Sequence, residues 1–188
     1  MSHHTSDENA WKGLVLGLVG GAAGLLAMRF YWNRLEPLLP GQEGNGRGSD
    51  EGEAPAELEG ISLVGKQYRG DESSTAALGR LLYTEVSGSE PNKELKEALS
   101  YLVHWGYGVA QGGVYGVTHT AAGGLDPAGG MLFGAGLWLL GDELIVPLLG
   151  LQGGPTSVSG LQHLHRLGAH LAYGLATALT TQTLRRLM

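Results

Sequence analysis

Four apolar blocks separated by polar stretches dominate the pattern of hydrophobic and polar positions along the chain. They cover about residues 11–28, 99–117, 129–149 and 159–181. About 20 apolar residues suffice for a helix to cross the hydrocarbon core of a bilayer. A soluble helix of this length carries a charged face, which the last three blocks lack. The pattern predicts an all-α polytopic membrane protein with four transmembrane helices and both ends on one side. A soluble all-α bundle with unusually apolar helices is the alternative.

The first block is expected to remain in the protein as a span. A secretory signal needs a basic leader, a shorter apolar core and a cleavage site. The segment before the first block, MSHHTSDENA, is instead polar and acidic. Three regions follow from this pattern: residues 1–29, a tail and the first transmembrane helix; residues 30–98, an extramembrane insert; and residues 99–188, a three-helix transmembrane region with a basic C-terminus.

The insert is predicted to be acidic, glycine-rich and largely without a core. Its middle, GQEGNGRGSDEGEAPAELEG, sets six acidic residues against Arg47, namely Glu43, Asp50, Glu51, Glu53, Glu57 and Glu59. Such a composition normally stays disordered. After it, either Asp71 or Ser73 is expected to cap a short amphipathic helix. Pro91 suits the first turn of the helix that follows.

Composition excludes several kinds of chemistry. The 188 residues include no cysteine, which rules out disulfides, thiolate metal sites and a cysteine nucleophile. A net charge of −6 with only 12 basic residues argues against nucleic-acid binding. A nucleophile elbow, a phosphate loop and an HExxH helix are all missing from the sequence. We therefore predict that the protein is not an enzyme.

Glycines recur at four-residue spacing within the apolar blocks. Small residues at this spacing let helix backbones approach closely in lipid. The pattern predicts close helix packing, either within the chain or at a dedicated oligomer face. The residues are Gly13, Gly17, Gly21, Gly108, Gly112, Gly116, Gly130 and Gly134.

Ionisable residues inside the apolar blocks form a predicted intramembrane layer. At a rise of about 1.5 Å per residue, all of them fall within roughly 5 to 17 Å of the membrane surface that carries the insert. Ionisable groups at such depth face the bundle interior and pair with one another. The histidines and the arginine are therefore expected to face the two acidic residues. The layer consists of His104, Asp142, Glu143, His163, His165, Arg166 and His170.

Several interpretations of this layer stay open. A structural network of ion pairs and hydrogen bonds would hold the helices in register. A water-filled site could instead titrate, because histidine changes charge between about pH 5 and 8. A metal would need ligands from several helices, such as His104, Glu143 and His170. The histidines at 104 and 170 are also conceivable as haem ligands, although no cofactor is predicted.

Several motifs resemble the YagU-like bacterial inner-membrane family, a domain of unknown function. They are HWGYGVAQGGVYG in the second block, WLLGDELIVPLLGLQGGP in the third, and HRLGAHLAYGLATAL with a terminal arginine pair in the fourth. The acidic insert departs from the family pattern. The resemblance implies a multi-pass protein of the bacterial inner membrane, with cytoplasmic termini and a periplasmic insert. Its polar motif residues correspond here to His104, Asp142, Glu143, Pro147 and His170.

The expected function is that of a non-catalytic membrane protein. It would act as a structural or accessory subunit and pack against other membrane chains or copies of itself, through its glycine-rich faces and its insert. The rival is a protein that handles protons or ions through its polar layer. A metal- or haem-binding membrane protein is a weaker alternative.

Overall fold

The computed structural model describes residues 3–39, 61–70 and 72–188. The described residues contain helices and no strands, which confirms the all-α class. The α-helices are α1 (His3–Phe30), α2 (Ser74–Ser87), α3 (Lys93–Ala121), α4 (Met131–Leu137), α5 (Val146–Leu148) and α6 (Gly160–Leu187). Two π-helical segments, Tyr31–Leu35 and Trp138–Ile145, continue α1 and join α4 to α5, and 3-10 turns lie at Glu36–Leu38 and Pro155–Ser157. The acidic middle of the insert and Asp71 lie outside the described residues.

Two of the helical runs are long and apolar enough to cross a membrane, within the ranges given above. They are Ala10–Leu38 and Met131–Leu148, in the first and third apolar blocks. The first extends beyond the boundary at residue 29, because the π-helical and 3-10 turns continue it. Helices α3 and α6 have 29 and 28 residues. Both are long enough to cross a membrane, but their glycines and polar residues make them less apolar than the other two runs.

The chain divides into two compact units that cut across the three predicted regions. The first unit comprises the described residues up to Leu39, with Trp105–Leu137 and His165–Met188. The second comprises the described residues from 61 to His104, with Trp138–Leu164. Helices α3 and α6 each supply residues to both units, because a helix of this length has different packing neighbours along its axis.

In the first unit, α1 and α3 approach each other at glycines. A Cβ atom added to Gly21 would lie 2.7 Å from the carbonyl oxygen of Gly108 and 2.9 Å from the Cα atom of Gly112. One added to Gly13 would lie 2.7 Å from the carbonyl oxygen of Gly116. Real Cβ atoms do not approach other atoms so closely, so these positions have no room for a side chain.

Helix α6 packs against α1 and α4 in the same manner. A Cβ atom on Gly24 would lie 2.7 Å from the ring of Tyr173, and one on Gly134 would lie 2.8 Å from the carbonyl carbon of His170. The hydroxyl of Tyr173 donates to the carbonyl oxygen of Gly108 at 2.6 Å and links α6 to α3. Leu25, Met28 and Ala169 surround the same tyrosine as a buried cluster.

The second unit is organised around Glu72, whose side chain is completely buried. Arg80 of α2 donates to both carboxylate oxygens, at 2.8 and 3.0 Å. The Nζ atom of Lys96 lies 3.5 Å away, and the backbone N–H of Arg69 donates at 3.2 Å. Ser73 caps α2 by accepting from the N–H of Ala76 at 3.2 Å. The network joins the segment before α2 to α2 and α3.

Residues 61–68 hydrogen-bond to the end of α5. The N–H groups of Leu63 and Gln67 donate to the carbonyl oxygens of Leu148 and Gly150 at 2.9 and 2.8 Å. Gly150 has φ +66°, which ends the helix in the left-handed conformation that glycine adopts readily. This arrangement satisfies carbonyl groups that a helix C-terminus leaves without partners.

Gly112→Ala should lower stability, whereas Gly106→Ala should not. Both changes lie in α3 and gain the same helix propensity, up to about 1 kcal/mol. An added Cβ at Gly106 meets open space, but one at Gly112 would lie 2.5 Å from the backbone nitrogen of Gly21. Overpacking of this kind costs about 1–3 kcal/mol. Thermal unfolding of both variants in detergent measures the difference, and equal stability would contradict the close approach.

Glu72→Gln should destabilise the second unit at neutral pH by about 3 kcal/mol, since it leaves the buried guanidinium of Arg80 uncompensated. Burial raises the pKa of Glu72, but the hydrogen bonds from Arg80 and Arg69 and the nearby positive charges outweigh burial and lower the pKa below its ordinary value. The ion pair therefore stabilises the fold above the unfolded-state pKa, and this stabilisation is lost as pH falls through the folded-state pKa.

The measurement is protection of α2 from proteolysis as a function of pH. Wild type should lose protection in acid, while Glu72→Gln should be less protected at neutral pH and change less in acid. Glu85→Gln, an exposed change on α2, is the control and should follow wild type. If Glu72→Gln and wild type lost protection over the same pH range, groups other than Glu72 would be responsible and the prediction would be wrong.

Candidate functional site

The candidate site lies in the second unit, where the third apolar helix is interrupted by proline. Pro147 has no N–H and cannot donate to a carbonyl in the preceding turn. The eight residues Trp138–Ile145 before it are π-helical. Segments of π-helix occur frequently at functional sites. Asp142 and Glu143 lie within this segment.

The side chain of Gln152 compensates for the missing N–H. In a π-helix the carbonyl of Asp142 would receive its hydrogen bond from residue 147, five positions ahead. The Nε2 atom of Gln152 donates to that carbonyl instead, at 2.6 Å. The glutamine and the tight turn at Gly150 therefore stabilise the π-helical geometry that positions Glu143.

Glu143 forms a hydrogen-bonded pair with His163 near the start of α6. The Nδ1 atom of His163 lies 2.8 Å from Oε1 of Glu143, and its Nε2 atom lies 2.6 Å from the carbonyl oxygen of Pro155. A carbonyl oxygen only accepts, so the contact between Nε2 and Pro155 is a hydrogen bond donated by the imidazole. A proton shared between Nδ1 and the carboxylate would complete the second contact.

This pair is largely removed from solvent. The side chains of Glu143 and His163 are 9% and 22% exposed. The ring of Trp138 meets the imidazole edge-on, with centroids 6.4 Å apart. Low local dielectric strengthens such a hydrogen bond. The arrangement can hold a proton in place, and it can pass one if water reaches His163.

The other predicted layer residues of α6 lie in the first unit. His165 is buried, and its Nδ1 atom lies 3.6 Å from Oε1 of Glu36. His170 donates through Nδ1 to the carbonyl oxygen of Arg166 in its own helix, at 2.9 Å. Arg166 is half-buried and forms no ion pair with the carboxylates of the described segments. The expected partners Asp142 and Glu143 belong to the second unit, and Glu143 pairs with His163.

His104 lies in the second unit on α3, with an exposed side chain. Among the described residues, no three histidine or acidic side chains come together to hold a metal ion. His104 and Glu143 lie in one unit, whereas His170 lies in the other. The structure thus brings together Glu143 and His163 from the predicted layer.

Sequence patterns missed three residues that complete these contacts: Glu36, Gln152 and Pro155. Glu36 follows the first apolar block, and its partner His165 lies far away along the chain. Pro155 contributes only its carbonyl oxygen, which any residue type has. A signal was present at Gln152, because a proline within a helix leaves a carbonyl that requires another donor.

Comparison with protein-family models, with curated proteins and with solved structures finds no match for this chain. The resemblance of its motifs to the YagU-like family therefore stays a prediction from the sequence. What the chain does has to be inferred from its own geometry.

Proposed function

We propose that the chain is a four-span integral membrane protein without catalytic activity, and that it acts as a structural or accessory subunit. The observation that carries the proposal is the inverted polarity of α6. Thr177 and Thr181 are buried, with 0% and 2% exposure, while Leu175 and Leu179 are 41% and 57% exposed. A soluble helix buries its leucines and exposes its threonines. Lipid as the surrounding solvent accounts for the reverse arrangement.

The third apolar helix supports the same proposal. Only 17% of the 18 residues Met131–Leu148 are buried within the chain, whereas the core helix of a soluble protein is mostly buried. Leu132, Leu139 and Leu140 are all more than half exposed. Helices α3 and α6 are each about 42 Å long, which exceeds the roughly 30 Å of a bilayer core. Their polar residues are tolerated because Tyr115, Tyr173 and Thr177 are buried.

The surfaces that remain uncovered in the chain support the proposed accessory role. The predicted packing glycines lie against other helices of the same chain, as with Gly21 against Gly112 and Gly134 against His170. A partner would therefore contact the exposed apolar surface instead, including Leu139, Leu140 and Leu144 on the π-helical segment. A second copy of the chain or a different membrane protein would provide a matching apolar face. The bacterial inner membrane is the location implied by the motif resemblance.

Single-cysteine labelling tests the second and third of the four proposed spans, because the chain has no native cysteine. With four crossings, Ser89→Cys and Thr156→Cys should react with an impermeant maleimide from one side of the membrane and Leu125→Cys from the other. All three residues lie in connections between helices, and permeabilised membranes provide the control in which every variant reacts. Labelling of all three from the same side would contradict this topology.

The accessory role is tested by purification in mild detergent and measurement of the mass of the complex. We expect a stable partner or a defined homo-oligomer. Substitution of exposed Leu139 and Leu140 by alanine should weaken that assembly, whereas Leu179→Ala provides a matched apolar change on α6. A monodisperse monomer without a partner would count against the proposal.

The Glu143–His163 pair favours a second candidate function, in which the protein moves protons. A partly buried imidazole that hydrogen-bonds to a carboxylate has the chemistry of a proton relay. The pair lies next to Gln152 and the turn at Pro155, outside the uninterrupted part of the helices. Access of water to His163 from the surface would complete one half of such a path.

Proton flux into vesicles containing the purified chain tests this candidate. Wild type should raise the flux above that of protein-free vesicles between about pH 5 and 8, where histidine changes charge. Glu143→Gln and His163→Gln should return it to the background level, while Glu85→Gln should leave it unchanged. Wild-type flux equal to that of protein-free vesicles would remove this candidate and leave the accessory role untouched.

A further inference from the structure

A second cluster of polar side chains lies in the first unit, where α3 and α6 end. It borders an open pocket of about 330 Å³. The pocket is lined by His119, Gly124, Gln182, Arg185 and Arg186. Small-molecule sites begin at roughly 300 Å³, so the volume is sufficient for a small polar group. None of these residues belongs to the Glu143–His163 site.

Contacts between the two helices fix the walls of this pocket. The rings of Tyr115 and His119, four residues apart on α3, stack with centroids 5.4 Å apart. Gln182 donates through Nε2 to the hydroxyl oxygen of Tyr115 at 3.3 Å. Arg186 follows Gln182 by four positions and therefore lies on the same face of α6. The side chains thus converge because both helices present residues at one-turn spacing.

His119 lies beside Arg185 at this end of the two helices. The Nη1 atom of Arg185 is 3.5 Å from Nδ1 of the imidazole. His119 is 7% exposed, so the imidazole is held within the fold beside the guanidinium.

Within residues 3–39, 61–70 and 72–188, neither Arg185 nor Arg186 forms an ion pair with a carboxylate. Asp126 in the neighbouring loop accepts the hydroxyl of Tyr115 at 2.5 Å and also interacts electrostatically with His119. The lining of the pocket itself carries two arginines and no acidic residue, on a chain with a net charge of −6.

We propose that this pocket binds a phosphate group. Arg185 and Arg186 supply charged donors whose planar geometry matches phosphate oxygens. Gln182 supplies a neutral donor, and His119 positions Arg185. The phosphate belongs either to an anionic lipid headgroup or to a soluble phosphate, since the recognition chemistry is the same. The site depends neither on a partner subunit nor on proton movement.

The test is the midpoint of thermal unfolding of the full chain purified in a neutral detergent. One series adds inorganic phosphate at constant ionic strength set with chloride. The other adds phosphatidic acid to the micelles, with phosphatidylcholine as the reference lipid. We expect a saturable rise of the midpoint in at least one series. A rise with phosphatidic acid alone identifies a lipid headgroup, and a rise with inorganic phosphate identifies a soluble ligand.

Arg186→Gln should weaken the apparent affinity about tenfold, the loss expected for one charged hydrogen-bonding partner. Arg186 is exposed in the last turn of α6, so its replacement leaves the fold intact. Arg185→Gln should give a similar loss. Arg34→Gln removes the same charge from an exposed position outside the pocket and should retain wild-type affinity. No saturable rise in either series, or an equal loss in Arg34→Gln, would overturn the proposal.

Discussion

The close approach of the α1 and α3 backbones is the constraint on which the first unit depends. At Gly21 and Gly112 the two helices are too close for any side chain. Glycine carries an entropic cost within a helix, which is offset where two helix backbones pack this closely. The approach fixes the rotation of both helices about their axes. It thereby determines that Tyr115 and His119 are buried, and that Tyr173 of α6 reaches the carbonyl of Gly108.

Several polar groups in the interior of this protein are hydrogen-bonded to other helices or to nearby turns. Tyr173 donates to a backbone carbonyl of another helix, and His163 bridges a carboxylate and a carbonyl. Gln152 replaces the N–H that Pro147 lacks. In an apolar surrounding, each such group would otherwise carry the full cost of desolvation. These interactions explain how helices with many polar residues coexist with an exposed apolar surface.

The two polar sites differ in the chemistry that they permit. In the Glu143–His163 pair, both imidazole nitrogens are engaged in hydrogen bonds within the chain. The pocket at Arg185 and Arg186 is open, positive and suited to an anion. The two sites belong to different units of the chain. The buried network at Glu72 has a structural role, since both carboxylate oxygens are engaged in contacts that join α2 with α3 and the preceding segment.

The sequence by itself determined the helical class and the positions of the apolar blocks, and it narrowed the cap of α2 to Asp71 or Ser73, because these features depend on local composition and periodicity. It also identified Glu143 and His163 as residues of one polar layer. Only the tertiary structure decided which layer residues meet. His165 pairs with Glu36, and His119 lines a pocket with Arg185, although each pair is far apart in the chain. Helical periodicity defines the face on which a residue lies, but the partner across that face depends on the rotation and axial shift of two packed helices.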